Sequence, residues 1–117
     1  MDVRMQLGSQ HIVLHLEDSS AAQDLVSRLP LTVELEDFGH GAEKIFYTPS
    51  KLDTSRVRRD DATTTGTVAI FEPWGNICIF LHPSRSAYGL IQLGLVSAED
   101  VKVLRSVSAR EATLSLA

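Results

Sequence analysis

The chain lacks several features that would point to a particular compartment or macromolecular partner. Its single cysteine, Cys78, cannot form an internal disulfide, and no segment approaches the roughly 20 consecutive apolar residues of a membrane-spanning helix. Basic residues are not in excess, because the formal net charge is -4, so neither nucleic acid nor a membrane surface is expected as a partner. The N-terminal residues lack the apolar core of a signal peptide. Together these absences predict a cytoplasmic protein.

Common catalytic and metal-binding patterns are lacking as well. The sequence has no Gly-x-Ser-x-Gly motif and no glycine-rich phosphate loop followed by a helix. His11 and His15 have a metal-ligand spacing on a helix, but the surrounding alternation predicts a strand. On a strand that spacing is about 13 Å, too far for two ligands of one ion. We therefore predict no metal site, no cofactor and no catalytic residue.

Alternation of apolar and polar residues is the main pattern that is present, and it predicts about eight β-strands. The eight segments are 3–7, 12–16, 31–35, 43–48, 67–71, 76–82, 90–96 and 112–116. Ser20 and Ser97 are predicted to cap two short helices, the first of which spans about residues 20–28. The long polar segment 49–66 is predicted to be irregular, and either functional or mobile. No repeat or linker occurs, so we expect one domain over residues 1–117.

The predicted elements favour a mainly β fold in which the sheet closes on itself. Two short helices cannot cover both faces of an eight-stranded sheet, whereas closure into a barrel buries one face and removes the free edges. We therefore predict a closed eight-stranded β-barrel with two short helices. A two-sheet sandwich is the main alternative.

Several segments, taken together and in order, resemble the bacterial cyclophilin-like domain family. The most specific is Glu72-Pro-Trp-Gly-Asn-Ile-Cys-Ile-Phe80, and the others are residues 29–38, 43–49, 51–53 and 89–94. The resemblance implies a small cyclophilin-type barrel, and a family whose biochemical role is largely unassigned. True prolyl isomerases of the superfamily carry Phe-His-Arg-Val-Ile, Gln-Gly-Gly and Asn-Gly-Ser-Gln-Phe-Phe segments, and none of them occurs here. The resemblance therefore implies no catalytic residue, since a fold alone does not transfer activity.

The lone tryptophan marks the region where we expect a ligand. Trp74 lies in a turn between two apolar strands, and Phe46 and Tyr47 end a neighbouring strand. Glu43 and Asn76 can place polar groups in the same region, as small-ligand sites require. We predict that these five residues form a binding site at the mouth of the barrel. In the alternative interpretation, Trp74 plugs the barrel end and Phe46 or Tyr47 packs in the core.

Three functions are consistent with these predictions. The first is a non-catalytic module that binds a small molecule or an extended peptide at the aromatic mouth. The second is a divergent peptidyl-prolyl cis-trans isomerase, suggested only by the resemblance. The third is a protein-interaction module that self-associates through an incompletely covered strand such as residues 112–116. The sequence does not predict an oligomeric state.

Overall fold

A computed structural model describes all residues, 1–117, and contains ten strands and two helices. The strands are β1 (Asp2–Leu7), β2 (Gln10–Leu16), β3 (Leu31–Glu34), β4 (Glu36–Phe38), β5 (Glu43–Phe46), β6 (Arg58–Arg59), β7 (Thr67–Phe71), β8 (Asn76–Phe80), β9 (Leu90–Leu95) and β10 (Glu111–Leu116). The helices are α1 (Ser20–Ser27) and α2 (Ala98–Ser106). The expectation of a mainly β protein with two short helices is confirmed. Neither helix has the length and apolar composition needed to cross a membrane.

The prediction of a closed eight-stranded barrel is wrong in both strand number and closure. All ten strands belong to one sheet in the order β3-β10-β1-β2-β9-β7-β8-β5-β4, with β6 paired to β9 beside this path. The path ends at β3 and β4, and no ladder joins these two edges. The two-sheet alternative is not found either, because every strand belongs to this single sheet.

The way the chain passes between the two edge strands explains why the sheet stays open. β3 and β4 are separated only by Leu35, which is buried and whose backbone N–H donates to the carbonyl of Arg110. β4 has three residues, all exposed, and pairs with β5. Both helices cover the apolar side of the sheet, with Leu25 of α1 and Leu104 of α2 fully buried in the main core. Closure is therefore not needed to bury the core.

Serine side chains begin both helices, as the sequence predicts, although one cap is shifted by a residue. Ser97 caps α2 by accepting a hydrogen bond from the Asp100 N–H, which confirms the predicted cap. At α1 the capping residue is Ser19, whose hydroxyl accepts from the Ala22 N–H, and not Ser20. The Ser20 hydroxyl instead bonds the backbone of Asp53 and Arg56, so it fastens the long segment 49–66 to the helix.

The segment 49–66 is anchored along much of its length. It contains β6, a strand that the sequence pattern missed, which pairs with β9 through Arg58 and Arg59. The amide of Gln92 on β9 donates to two carbonyls of the segment, those of Asp60 and Ala62. These contacts give the segment a structural role, because they tie it to the edge of β9 and to α1.

The two faces of β8 contact different groups of side chains. Ile77 and Ile79 belong to the main core, a cluster of 25 buried residues that includes both helices. Cys78 and Phe80 point the other way, into a separate cluster of five buried residues. Successive side chains of a strand alternate between faces, so the nearly continuous apolar run of β8 is that of a strand covered on both sides.

Candidate functional site

A concave cavity of about 280 Å³ lies on the face of β5, β8, β7 and β9 that is opposite to the main core. We call it the Trp74 cavity. It is open to solvent, and nine of the thirteen residues that line it are hydrophobic. The lining residues are Phe38, Glu43, Ile45, Phe71, Trp74, Asn76, Cys78, Phe80, Ser84, Ser86, Ala87, Tyr88 and Leu90.

Four aromatic rings in mutual contact form one wall of the Trp74 cavity. Trp74 packs edge-to-face against Phe38 at 5.7 Å between ring centroids and against Phe71 at 5.3 Å. Tyr88 packs against the other side of Phe71 at 5.5 Å. Edge-to-face pairs at these distances are favourable, so the rings hold one another in place. Trp74 is nevertheless 51% exposed and Tyr88 64% exposed, which leaves ring surface free for contact with another molecule.

A tight turn between β7 and β8 positions the tryptophan. The carbonyl of Phe71 accepts hydrogen bonds from the N–H groups of Trp74 at 3.2 Å and Gly75 at 2.8 Å. Gly75 has a φ of 76°, and a Cβ there would lie 2.9 Å from Cγ of Lys51, so only glycine fits without strain or displacement. The Pro-Trp-Gly sequence therefore fixes the backbone from which the indole ring projects.

Asn76 is a buried polar residue in the apolar lining of the cavity. It is 1% exposed, and its Nδ2 lies 3.4 Å from Sγ of Cys78. Its carbonyl oxygen Oδ1 has no hydrogen-bond partner, and it is the one buried side-chain nitrogen or oxygen of the protein in this state. An unpaired buried acceptor costs about 1–3 kcal/mol of desolvation. A donor that reaches Oδ1 from the open cavity would remove this cost.

Glu43 and Cys78 lie side by side in the same cavity and perturb each other. Burial is the largest cause that raises the pKa of the Cys78 thiol, to about 12, and the neighbouring Glu43 carboxylate raises it further. Burial also raises the pKa of Glu43, an effect opposed by hydrogen bonding to Cys78. The thiol is therefore protonated at neutral pH. It is a poor nucleophile, because the thiolate is the reactive form.

The cavity contains one charged side chain and no opposite charge. Glu43 is the charged residue, and no lysine, arginine or histidine lines the cavity. Arg85 lies between the lining residues Ser84 and Ser86, but it is exposed and does not itself line the cavity. The polar lining therefore combines groups that can donate or accept, among them the hydroxyls of Ser84, Ser86 and Tyr88, with one negatively charged acceptor, Glu43.

The structure places the five predicted site residues in three different environments. Glu43, Trp74 and Asn76 line the Trp74 cavity together. Phe46 is fully buried in the main core, and Tyr47 is 47% exposed just beyond β5 and does not line the cavity. The concavity lies against the outer face of the sheet, and not at a barrel mouth, since the sheet does not close.

Four aromatic lining residues were not identified from the sequence. Phe38 comes from the edge strand β4, Phe71 from the end of β7, Phe80 from the end of β8 and Tyr88 from the loop before β9. One usable signal was the alternation along β5: Glu43 and Phe46 are three residues apart and so face opposite sides of the sheet, and in the structure they pair with Phe80 and Ile77 of β8 respectively. The segment 49–66 contributes no residue to the cavity.

Comparison with known proteins assigns the family. The family model described as "Cyclophilin-like family" matches residues 5–116, which is nearly the whole chain. The chain belongs to the cyclophilin-like family. None of the curated proteins matches it in sequence.

A solved structure supports the same fold. The solution structure of a hypothetical protein from Archaeoglobus fulgidus is similar, with a TM-score of 0.74 and 18% sequence identity, over 100% of this chain and 95% of the archaeal one. At that identity the likeness concerns the fold alone. The resemblance of the sequence to cyclophilin-like proteins is thus confirmed, while a bacterial source stays a prediction.

Proposed function

We propose that this member of the cyclophilin-like family binds a small organic molecule with an apolar ring in the Trp74 cavity, without catalysing a reaction. The observation that carries this proposal is the unpaired, buried Oδ1 of Asn76 in the lining of an aromatic-walled cavity. A binding site accounts for this destabilising group if an occupant, or a water held beneath it, donates a hydrogen bond to that oxygen.

The aromatic wall supports an apolar ring as part of the ligand. Trp74 and Tyr88 each contact Phe71, and both expose large ring surfaces. A planar ring of a ligand can pack against these surfaces. The volume of about 280 Å³ is at the low end of ligand sites, which favours a molecule of one or two rings. We therefore favour a small molecule over the extended peptide that the sequence left open.

The side chains of the cavity support binding more than catalysis. A thiol whose pKa is about 12 supplies a thiolate fraction of only about 10⁻⁵ at pH 7, so Cys78 is not an activated nucleophile. Glu43 is not expected to act as a base toward Cys78, because burial disfavours both the carboxylate form of Glu43 and the thiolate form of Cys78. No contact in the cavity favours a divergent prolyl isomerase. A coupled proline-peptide assay is therefore expected to show no acceleration of cis-trans isomerisation.

Self-association through residues 112–116 loses its structural basis. The strand β10 that contains them lies between β1 and β3 and is hydrogen-bonded to both, so it is not a free edge.

A reducing cytoplasm remains the compartment that we propose, and it is supported by the single buried thiol.

A thermal-shift screen of ring-containing small molecules, read against two matched variants, tests the proposal. Trp74→Ala removes a 51% exposed ring from the cavity, whereas Tyr47→Ala removes a 47% exposed ring that lies outside it. We expect hits that stabilise the wild type and Tyr47→Ala equally but stabilise Trp74→Ala much less. A hit that stabilises all three proteins equally binds elsewhere, and the absence of any hit contradicts the proposal.

A further inference from the structure

The Trp74 cavity combines acceptors, one carboxylate and aromatic faces without any positive charge. A ring face carries negative partial charge, and a cation within about 6 Å of a ring centroid is attracted to it. Four contacting rings line one side of the cavity, and the exposed ones, Trp74 and Tyr88, can offer such a face to a ligand. Glu43 adds a formal negative charge that no cation within the cavity neutralises.

We infer that the ligand of the Trp74 cavity is an organic cation, an amine or amidine attached to an apolar ring. This inference rests on the proposed function and specifies the chemical class of its ligand. The positive group would lie near the Glu43 carboxylate and the aromatic wall, while the ring of the ligand packs against Trp74.

The hydrogen-bonding groups of the cavity agree with this polarity. A protonated amine has only donors, and the cavity offers acceptors in the Glu43 carboxylate and in the unpaired Oδ1 of Asn76, while its three lining hydroxyl groups can either donate or accept. An anionic ligand would meet the carboxylate at close range and find no paired cation, which costs binding free energy. A neutral alcohol would leave the carboxylate uncompensated. Of the three charge types, the cation therefore complements the cavity best.

Ionisation of Glu43 supports the same direction. Because burial raises the pKa of this carboxyl, its charged form is under-stabilised in the empty cavity. A bound cation would stabilise that form, so part of the unfavourable desolvation would be offset on binding. The titratable group that contacts Glu43 from the adjacent strand is Cys78, which stays protonated at neutral pH.

Three probes that differ mainly in charge test the inference: phenethylamine, 2-phenylethanol and phenylacetate. The chain has one tryptophan, so the indole N–H of Trp74 gives a single, assigned signal in a ¹H–¹⁵N spectrum. We expect phenethylamine to shift this signal and to bind at least tenfold more tightly than either other probe. In Glu43→Gln the preference should fall to about threefold or less, whereas Glu99→Gln, an exposed site on α2, should keep it.

The outcomes separate the ligand class from the existence of the site. Equal affinities for the three probes, or tightest binding of phenylacetate, would overturn the cationic assignment while leaving a functional cavity. No shift of the Trp74 signal with any probe, up to its solubility limit, would contradict both the assignment and the proposed function. The comparison of probes on the wild type decides the matter even if Glu43→Gln does not fold.

Discussion

Ile77 and Cys78 are adjacent on β8 but point to opposite faces of the sheet, and truncating each to alanine tests that arrangement. Ile77 is 1% exposed in the main core of 25 residues. Cys78 is also buried, but its side chain belongs to the small cluster beneath the Trp74 cavity. The two substitutions therefore remove atoms from a closed core and from the lining of an open cavity.

The expected costs differ by a factor of about three. Ile77→Ala deletes three carbons from a core enclosed by the sheet and helices, which costs about 3 kcal/mol of unfolding free energy. Cys78→Ala deletes one sulfur atom that lines existing open space, so the transfer cost of about 1 kcal/mol carries little additional cavity cost; any cost above that value comes from the loss of the Sγ contact with Asn76 Nδ2. For a domain of this size, about 3 and about 1 kcal/mol correspond to falls in Tm of about 12 °C and about 4 °C.

Urea unfolding measures both costs directly, provided that the m-value is unchanged. Ligand affinity should respond in the opposite order: Ile77→Ala, where folded, should bind a cavity ligand like the wild type, whereas Cys78→Ala should change the affinity. Equal destabilisation by the two variants would refute the assignment of the two faces. A larger effect of Ile77→Ala than of Cys78→Ala on ligand affinity would do so as well.

Three further perturbations test Cys78 and Glu43 in the Trp74 cavity and the contact between β2 and β9. At pH 8 a thiol with a pKa of about 12 is about 10⁻⁴ thiolate, so iodoacetamide should modify Cys78 about 10³-fold more slowly in the native protein than in urea, and equal rates would contradict its burial. The pKa of Glu43 is raised in the folded state, so folding favours the protonated carboxyl. The stability of the fold therefore falls as the pH rises from the ordinary glutamate pKa of about 4.3 through the raised pKa. Glu43→Gln should therefore be more stable than the wild type at pH 7 and similar to it below pH of about 4, and urea midpoints that differ equally at both pH values would argue against this cause. Gly94→Ala should lower the free energy of unfolding by about 3 kcal/mol, because the new Cβ would lie 2.9 Å from Cα of Leu16 and against the carbonyl of His15, where β2 meets β9. An unchanged urea midpoint would show that the two strands can move apart without cost.

Strand positions were largely predictable because most strands have one face on a common core. Residues 3–7 alternate strictly, and the structure buries Val3, Met5 and Leu7 as that alternation implies. The two strands that were missed, β4 and β6, have three and two residues, nearly all charged. Such strands exist through pairing with β5 and β9, and no local pattern encodes that pairing.

Closure of the sheet could not be predicted from local patterns. It depends on whether a ladder of hydrogen bonds joins β3 and β4, which are consecutive in the chain but first and last in the order of paired strands. The turn signal that would pair them is absent, since only Leu35 separates them. The sequence shows that each helix has an apolar face. It does not show that the two helices cover the sheet while the sheet itself stays open.

The candidate site was predictable only where single residues are unusual. Trp74 and Asn76 stand out because a turn tryptophan and a buried amide next to an apolar strand need a structural explanation. Phe38 and Tyr88 are ordinary residues in irregular or edge segments, and they meet Trp74 only through tertiary contacts. Parity along β5 could have separated Phe46 from Glu43, because residues three apart on a strand face opposite sides.

The division of the sheet into two faces explains how the cavity can retain unfavourable groups. The main core lies entirely on the other face and contains both helices, so it supplies packing energy independently of the cavity. An unpaired oxygen on Asn76, a desolvated carboxyl on Glu43 and exposed rings on Trp74 and Tyr88 each cost stability where they are. Their concentration in one concavity is what binding requires and what packing alone does not explain.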